Sequence, residues 1–141
     1  MPDRFESGTL NLAGIYGLHA ALRELMEAGV AACRVKELSL LKRFTEGLSR
    51  LDGFRTIGAS DLSRRVGVVS CDFARLDNAV VADRLSSEYG VLTRCGLHCA
   101  PNAHKTYGTF PQGTVRFSMN HTNTEQEIDA ALAALAEILK D

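Results

Sequence analysis

Apolar residues recur at helical spacing in the opening third of the chain. Ile15, Leu18, Leu22, Leu25 and Met26 share one face, Arg23, Glu24 and Glu27 interrupt them, and Gly29 follows where a C-terminal cap belongs. This predicts an amphipathic helix from Ile15 to Met26. A second helix is predicted from about Ala31 to Leu51, with Val35, Leu38, Leu41, Leu48 and Leu51 inward, until Asp52-Gly53 breaks it. The period then shortens. Phe54 to Ile57 is a short strand candidate, and Val66-Gly67-Val68-Val69-Ser70-Cys71-Asp72-Phe73 is rich enough in β-formers to be a central strand. Asp77 can cap a helix that runs to Tyr89, presents Val80, Val81 and Leu85 to a core, and stops at Gly90. Val91 to Arg94 and Thr114 to Met119 supply two more strands. In the last helix Thr124 and Glu127 stand at capping-box spacing, followed by Ile128, Ala131, Leu132, Leu135, Ile138 and Leu139. The order ααββαββα describes an α+β domain, a small and mainly antiparallel sheet covered by helices.

One stretch fits no core element. From Cys95 to Gly113 runs a connection of about twenty residues, longer than the roughly 12 to 15 beyond which a loop in a compact domain is usually functional or disordered. It carries Cys95, His98, Cys99 and His104. Cys99 lies five residues after Arg94 and five before His104, so cationic groups are at hand to favour a nucleophilic thiolate; the alternative is an inert, buried cysteine. Cys33, in a helix, and Cys71, in a central strand, fit the inert reading. Arg94 and Arg116, at or near strand ends, can grip a carboxylate in bidentate fashion or form surface ion pairs. The pattern C-x-x-H-C-x4-H contains zinc-ligand residue types, but adjacent His98 and Cys99 cannot easily point at one ion and no second ligand pair stands at zinc-finger spacing. No metal is expected.

Composition narrows the setting. At 141 residues with 45% hydrophobic content the chain suits one globular domain. A net charge of -1, from 16 basic and 17 acidic residues interspersed along the chain, gives no footprint for nucleic acid or an anionic membrane. There is no apolar run of membrane-spanning length and no signal-peptide pattern at Met1-Pro2-Asp3-Arg4, so a cytoplasmic protein with four reduced cysteines is expected.

Several blocks, in order, resemble a known family: Arg94-Cys95-Gly96-Leu97-His98-Cys99-Ala100-Pro101, Ala103-His104-Lys105, Gly108-Thr109, Gly113-Thr114-Val115-Arg116-Phe117-Ser118, Asn123-Thr124 and Glu127-Ile128-Asp129. They are similar to the C-terminal signature of class V aminotransferases, within that class to the cysteine desulfurase and selenocysteine lyase branch. The opening Arg4-Phe5-Glu6-Ser7-Gly8-Thr9-Leu10-Asn11, with Gly14-Ile15, resembles the segment just after that family's cofactor-binding domain. The resemblance implies the C-terminal small domain of a fold-type I pyridoxal-phosphate (PLP) enzyme, with residues 1–14 a junction, 15–141 the small domain and 94–113 its nucleophile loop.

The implied activity is conversion of L-cysteine to L-alanine with persulfide formation on Cys99. Arg94 and Arg116 correspond to residues that hold or line the substrate carboxylate, and Gly8 and Thr9 to a segment reaching the PLP phosphate of the other subunit of a homodimer. L-selenocysteine is the alternative substrate. The family's cofactor-anchoring lysine belongs to the larger domain; His104-Lys105 follows the nucleophile and matches a different block. The resemblance therefore implies a part inactive alone, PLP being bound by the parent enzyme and not by this chain, with the PLP-binding domain and a second copy as partners. A Cys/His redox or zinc-binding module, or one half of a split enzyme, is the competing reading. Cys95, standing where relatives often have a threonine or another small residue, further suggests a Cys95 to Cys99 redox link.

Overall fold

The computed structural model describes Phe5, residues 7–73 and residues 75–140. Of the expected junction, Met1, Pro2, Asp3, Arg4 and Glu6 lie outside the described residues. Two compact units divide between Cys33 and Arg34.

The first unit is dominated by α1, Leu12–Ala28, which Asn11 caps by accepting a hydrogen bond from the Gly14 N–H at 3.0 Å. Every residue of α1 is exposed, including the apolar stripe read from its sequence. The next helix, α2, Val30–Leu48, carries the chain across the division.

In the second unit, β1 (Phe54–Ile57), β2 (Val68–Phe73), β3 (Arg94–Gly96) and β4 (Thr114–Ser118) form one sheet in the order β1-β2-β4-β3. All three pairings are antiparallel. The other helices are α3 (Asn78–Tyr89), α4 (Pro101–Tyr107) and α5 (Glu125–Ile138). Strand alternation splits the sheet into two unlike faces. Val69, Cys71 and Phe73 of β2 and Val115 and Phe117 of β4 are buried with Leu40, Leu41, Phe44 and Leu48 of α2, Val81 and Leu85 of α3, and Leu135 and Ile138 of α5. Phe54 sits opposite Phe73, with ring centroids 5.5 Å apart. The opposite face is polar: Arg55 and Asp72, Ser70 and Arg116, and Arg116 and Arg94 are cross-strand neighbours there.

The α+β class and the antiparallel sheet agree with the reading of the sequence, and so do the caps. Gly90 adopts the left-handed conformation at φ +67°, and the Thr124–Glu127 capping box is complete. Several details differ, among them the end of α2 at Leu48 where the sequence suggests Leu51. The buried stripe of α2 is Leu40, Leu41, Phe44 and Leu48, while Val35 is 69% exposed; one helical face continued back from Leu41 and Leu48 passes Glu37 and Leu38 and misses Val35. Val80 likewise faces outward while Val81 and Leu85 are buried. The third strand is Arg94–Gly96 instead of Val91 to Arg94, because its pairing partners in β4 are Thr114, Val115 and Arg116. Leu92, which looks like a strand residue, is 85% exposed.

Candidate functional site

About half of the segment expected as one long loop is regular structure. Its first two residues finish β3, and α4 begins at Pro101, a residue preorganised for a first helical turn, and ends at Gly108 in the left-handed conformation. Only the turn between β3 and α4 is left to carry Cys99. There His98 and Cys99 adopt positive φ in succession, +51° and +61°. Non-glycine residues rarely do so, and each costs on the order of 1–3 kcal/mol unless the surroundings hold it.

Two features hold this turn. His98 Nε2 lies 3.3 Å from Thr114 Oγ1, and Thr114 is buried on the polar face of the sheet. Gly113 enters β4 at φ +79° so close to β3 that a methyl group there would collide with the Gly96 carbonyl. His104 is buried in α4, its Nδ1 2.6 Å from Thr109 Oγ1, and its ring centroid is 5.7 Å from that of His98. Asn78, at the start of α3, is 1% exposed; it donates to the Gly113 carbonyl and to Asp72 and accepts from the Phe73 N–H. A cleft of about 260 Å³ opens between this assembly and the sheet, bordered by Ser70, His98, Ala103, His104, Tyr107 and Thr114 among others.

Cys99 is exposed, and the Arg94 guanidinium Nη2 lies 4.0 Å from its sulfur. Arg94 and Arg116 are direct cross-strand partners. Like charges in that position repel, and among the described residues neither arginine has a carboxylate partner. The Nε of Arg116 is buried with no hydrogen-bond partner, and so is Nδ1 of His98. Such a pair of guanidiniums is unbalanced until an anion arrives. Burial, followed by the charges of Arg116, His104 and Arg94, pushes the His98 imidazolium below its usual range. His98 is thus held neutral beside the arginines.

Cys99, Arg94 and Arg116 are brought together as candidate site residues. Cys95 is separated from them. It lies opposite Val115 and packs against the core, and burial above all, with Asp77 adding, raises its thiol above the usual range. The suggested link from Cys95 to Cys99 therefore meets two thiols on different sides of the sheet, one toward the core and one exposed beside Arg94. Among the described residues no group of three or more His, Cys, Asp and Glu side chains converges as a metal site. Cys71 is buried in β2, its pKa pushed up to about 12 by desolvation. Gly8, at φ +84°, and exposed Thr9 belong to the first unit. The residues that sequence reading missed are Thr114 and Thr109, the hydroxyl partners of His98 and His104, and Asn78.

Fold and site define an α+β domain with an exposed thiol beside an arginine at the end of its sheet. A profile of the aminotransferase class-V family matches residues 1–131, and the chain belongs to that family. The chain is 35% identical over 139 residues to a probable cysteine desulfurase of Pyrococcus abyssi, covering 99% of this chain and 34% of that protein. Among solved structures it is similar to the apo cysteine desulfurase of Thermococcus onnurineus NA1, with TM-score 0.92 and 35% identity over 99% of this chain and 34% of that one. It is similar also to the cysteine desulfurase CsdA of Escherichia coli, with TM-score 0.87 and 30% identity over 99% of this chain and 33% of that one. The chain thus spans about a third of the length of the relatives it matches.

Proposed function

We propose that this chain is the nucleophile-bearing C-terminal part of a PLP-dependent cysteine desulfurase. The observation that carries the reading is the exposed Cys99 thiol on a left-handed turn, 4.0 Å from the Arg94 guanidinium, whose cross-strand partner is Arg116. The similarity to cysteine desulfurases along nearly the whole chain supports it. Arg116, with Arg94 beside it, lines the place where the carboxylate of L-cysteine is gripped. The sulfur of Cys99 attacks the substrate sulfur: an S–S bond forms as the substrate's C–S bond breaks, and the electron pair stays with the carbon that takes up a proton to become the methyl group of alanine. Cys99 is left as a persulfide.

The residues fit part of a PLP site. Gly8 has open space around it and Thr9 is exposed, so an amide N–H and a hydroxyl can meet a phosphate. Lys36, Lys42, Lys105 and Lys140 are all exposed, and none is a credible anchor for the cofactor. The anchoring lysine then comes from outside these residues, with residues 1–14 as the junction to that part. When bound, PLP supplies an electron sink beside the substrate's reacting carbon. A cytoplasmic location and a homo-oligomer, whose contact would help to cover the exposed stripe of α1, belong to the same proposal; among the described residues no helix is long and apolar enough to cross a membrane.

The test is alanine formation by the enzyme that contains this chain. Cys99→Ala abolishes it, whereas Arg116→Met weakens use of cysteine on the order of a hundredfold, mainly through KM. Full activity in Cys99→Ala contradicts the reading.

A further inference from the structure

We infer that the two arginines divide the labour: Arg94 holds the sulfur of Cys99, and Arg116 alone grips the substrate carboxylate. This rests on the proposed function, within which it assigns Arg94 a separate part.

The two side chains start from facing positions in the sheet but end in different surroundings. Arg116 is half-buried, with an unpartnered Nε inside the protein. A half-buried guanidinium with an unsatisfied N–H suits a planar, two-oxygen ligand. Arg94 begins the edge strand β3 and is exposed, and the one hydrogen-bond contact of its side chain among the described residues is with Cys99 Sγ at 4.0 Å.

Turn geometry explains why that contact exists. Cys95 follows Arg94 in the strand and points to the core, so Arg94 points to the polar face. The chain then reverses through Gly96, at φ +109°, and through the two left-handed residues, which returns residue 99 over residue 94. The strained conformations of His98 and Cys99 thus place the sulfur against a guanidinium that has no carboxylate partner among the described residues. An N–H donor at this position stabilises the thiolate through which the sulfur attacks. After sulfur transfer it meets the persulfide, whose terminal sulfur is also anionic. His98, whose imidazolium is disfavoured by burial and by the charges of Arg116, His104 and Arg94, leaves the role of counter-cation to Arg94.

The chain itself provides the test. The rate at which neutral iodoacetamide alkylates Cys99 near pH 7.5 is followed by mass spectrometry of the Cys99 peptide, for the unaltered chain, Arg94→Met, Arg94→Lys and Arg116→Met. Circular dichroism verifies that each variant is folded. With a charge 4.0 Å from the sulfur in a solvent-exposed setting, Arg94→Met is expected to slow alkylation about fivefold. Arg94→Lys restores most of the rate, added salt shrinks the difference, and Arg116→Met stays within about twofold of the unaltered chain. Equal rates for Arg94→Met and the unaltered chain, or an equal loss in Arg116→Met, overturn the division. A different result, Cys99 alkylated no faster than Cys33 in the unaltered chain, counts against the nucleophile reading itself and is visible before any variant is made.

Discussion

His98 and Cys99 show how one turn can serve two chemical ends. Their left-handed conformations are unfavourable in isolation, and the Thr114 contact together with the close approach of Gly113 to Gly96 holds them. Cys99 is thereby exposed while Cys71 is buried with a pKa of about 12. Iodoacetamide is expected to modify Cys99 in the folded chain and Cys71 only after unfolding, as peptide mapping will show. His98 carries a pH signature. Its folded-state pKa lies below the ordinary 6.5, through burial and through Arg116, His104 and Arg94, so the unfolded chain binds the proton more readily. The stabilisation is present above about pH 6.5 and is lost as pH falls toward the folded value. Chemical denaturation across that interval should show stability falling with pH, with a shallower slope in His98→Gln. At this scale Cys99, Arg94 and Arg116 were named as candidates from residue type, spacing and the family resemblance, and the structure sets Arg94 against Cys99 and across from Arg116. The orphaned His98 Nδ1 and Arg116 Nε were not legible in the sequence, since they arise only when distant segments close over them.

Elements were legible where a cap or a strict period marks them. Asp77, Gly90 and the Thr124 box fix their helices as the sequence indicates, and β2 alternates inward and outward along its whole length. α4 was hidden inside the apparent loop because seven residues are too few to display a period; its signals were Pro101 and Gly108 alone. The limits of β3 depend on which β4 residues it meets, a long-range pairing that local propensity does not contain. Two substitutions test this picture. Gly113→Ala forces a collision with the Gly96 carbonyl at a positive φ and should destabilise the domain by about 2 kcal/mol or more, with loosening of the Cys99 turn. Thr124→Ala removes one half of a capping box far from the site and should cost about 1 kcal/mol while leaving Cys99 alkylation unchanged. Thermal or urea denaturation measures both.

On the scale of the molecule, the sheet separates two tasks. One face builds the core with α2, α3 and α5, and the other carries Arg94, Arg116, Ser70 and the turn bearing Cys99. The chain covers about a third of its relatives, and in the proposal it contributes the sulfur-carrying cysteine and the carboxylate grip to a PLP enzyme. Its α1 is amphipathic in sequence and exposed throughout. The most direct test of the account follows the sulfur atom. The enzyme containing this chain is given PLP and L-cysteine, alkylated and digested, and its cysteine peptides are weighed. The account predicts the added mass of one sulfur atom on the Cys99 peptide and its absence when cysteine is withheld; sulfur carried by Cys33, Cys71 or Cys95 while Cys99 stays unmodified would contradict it.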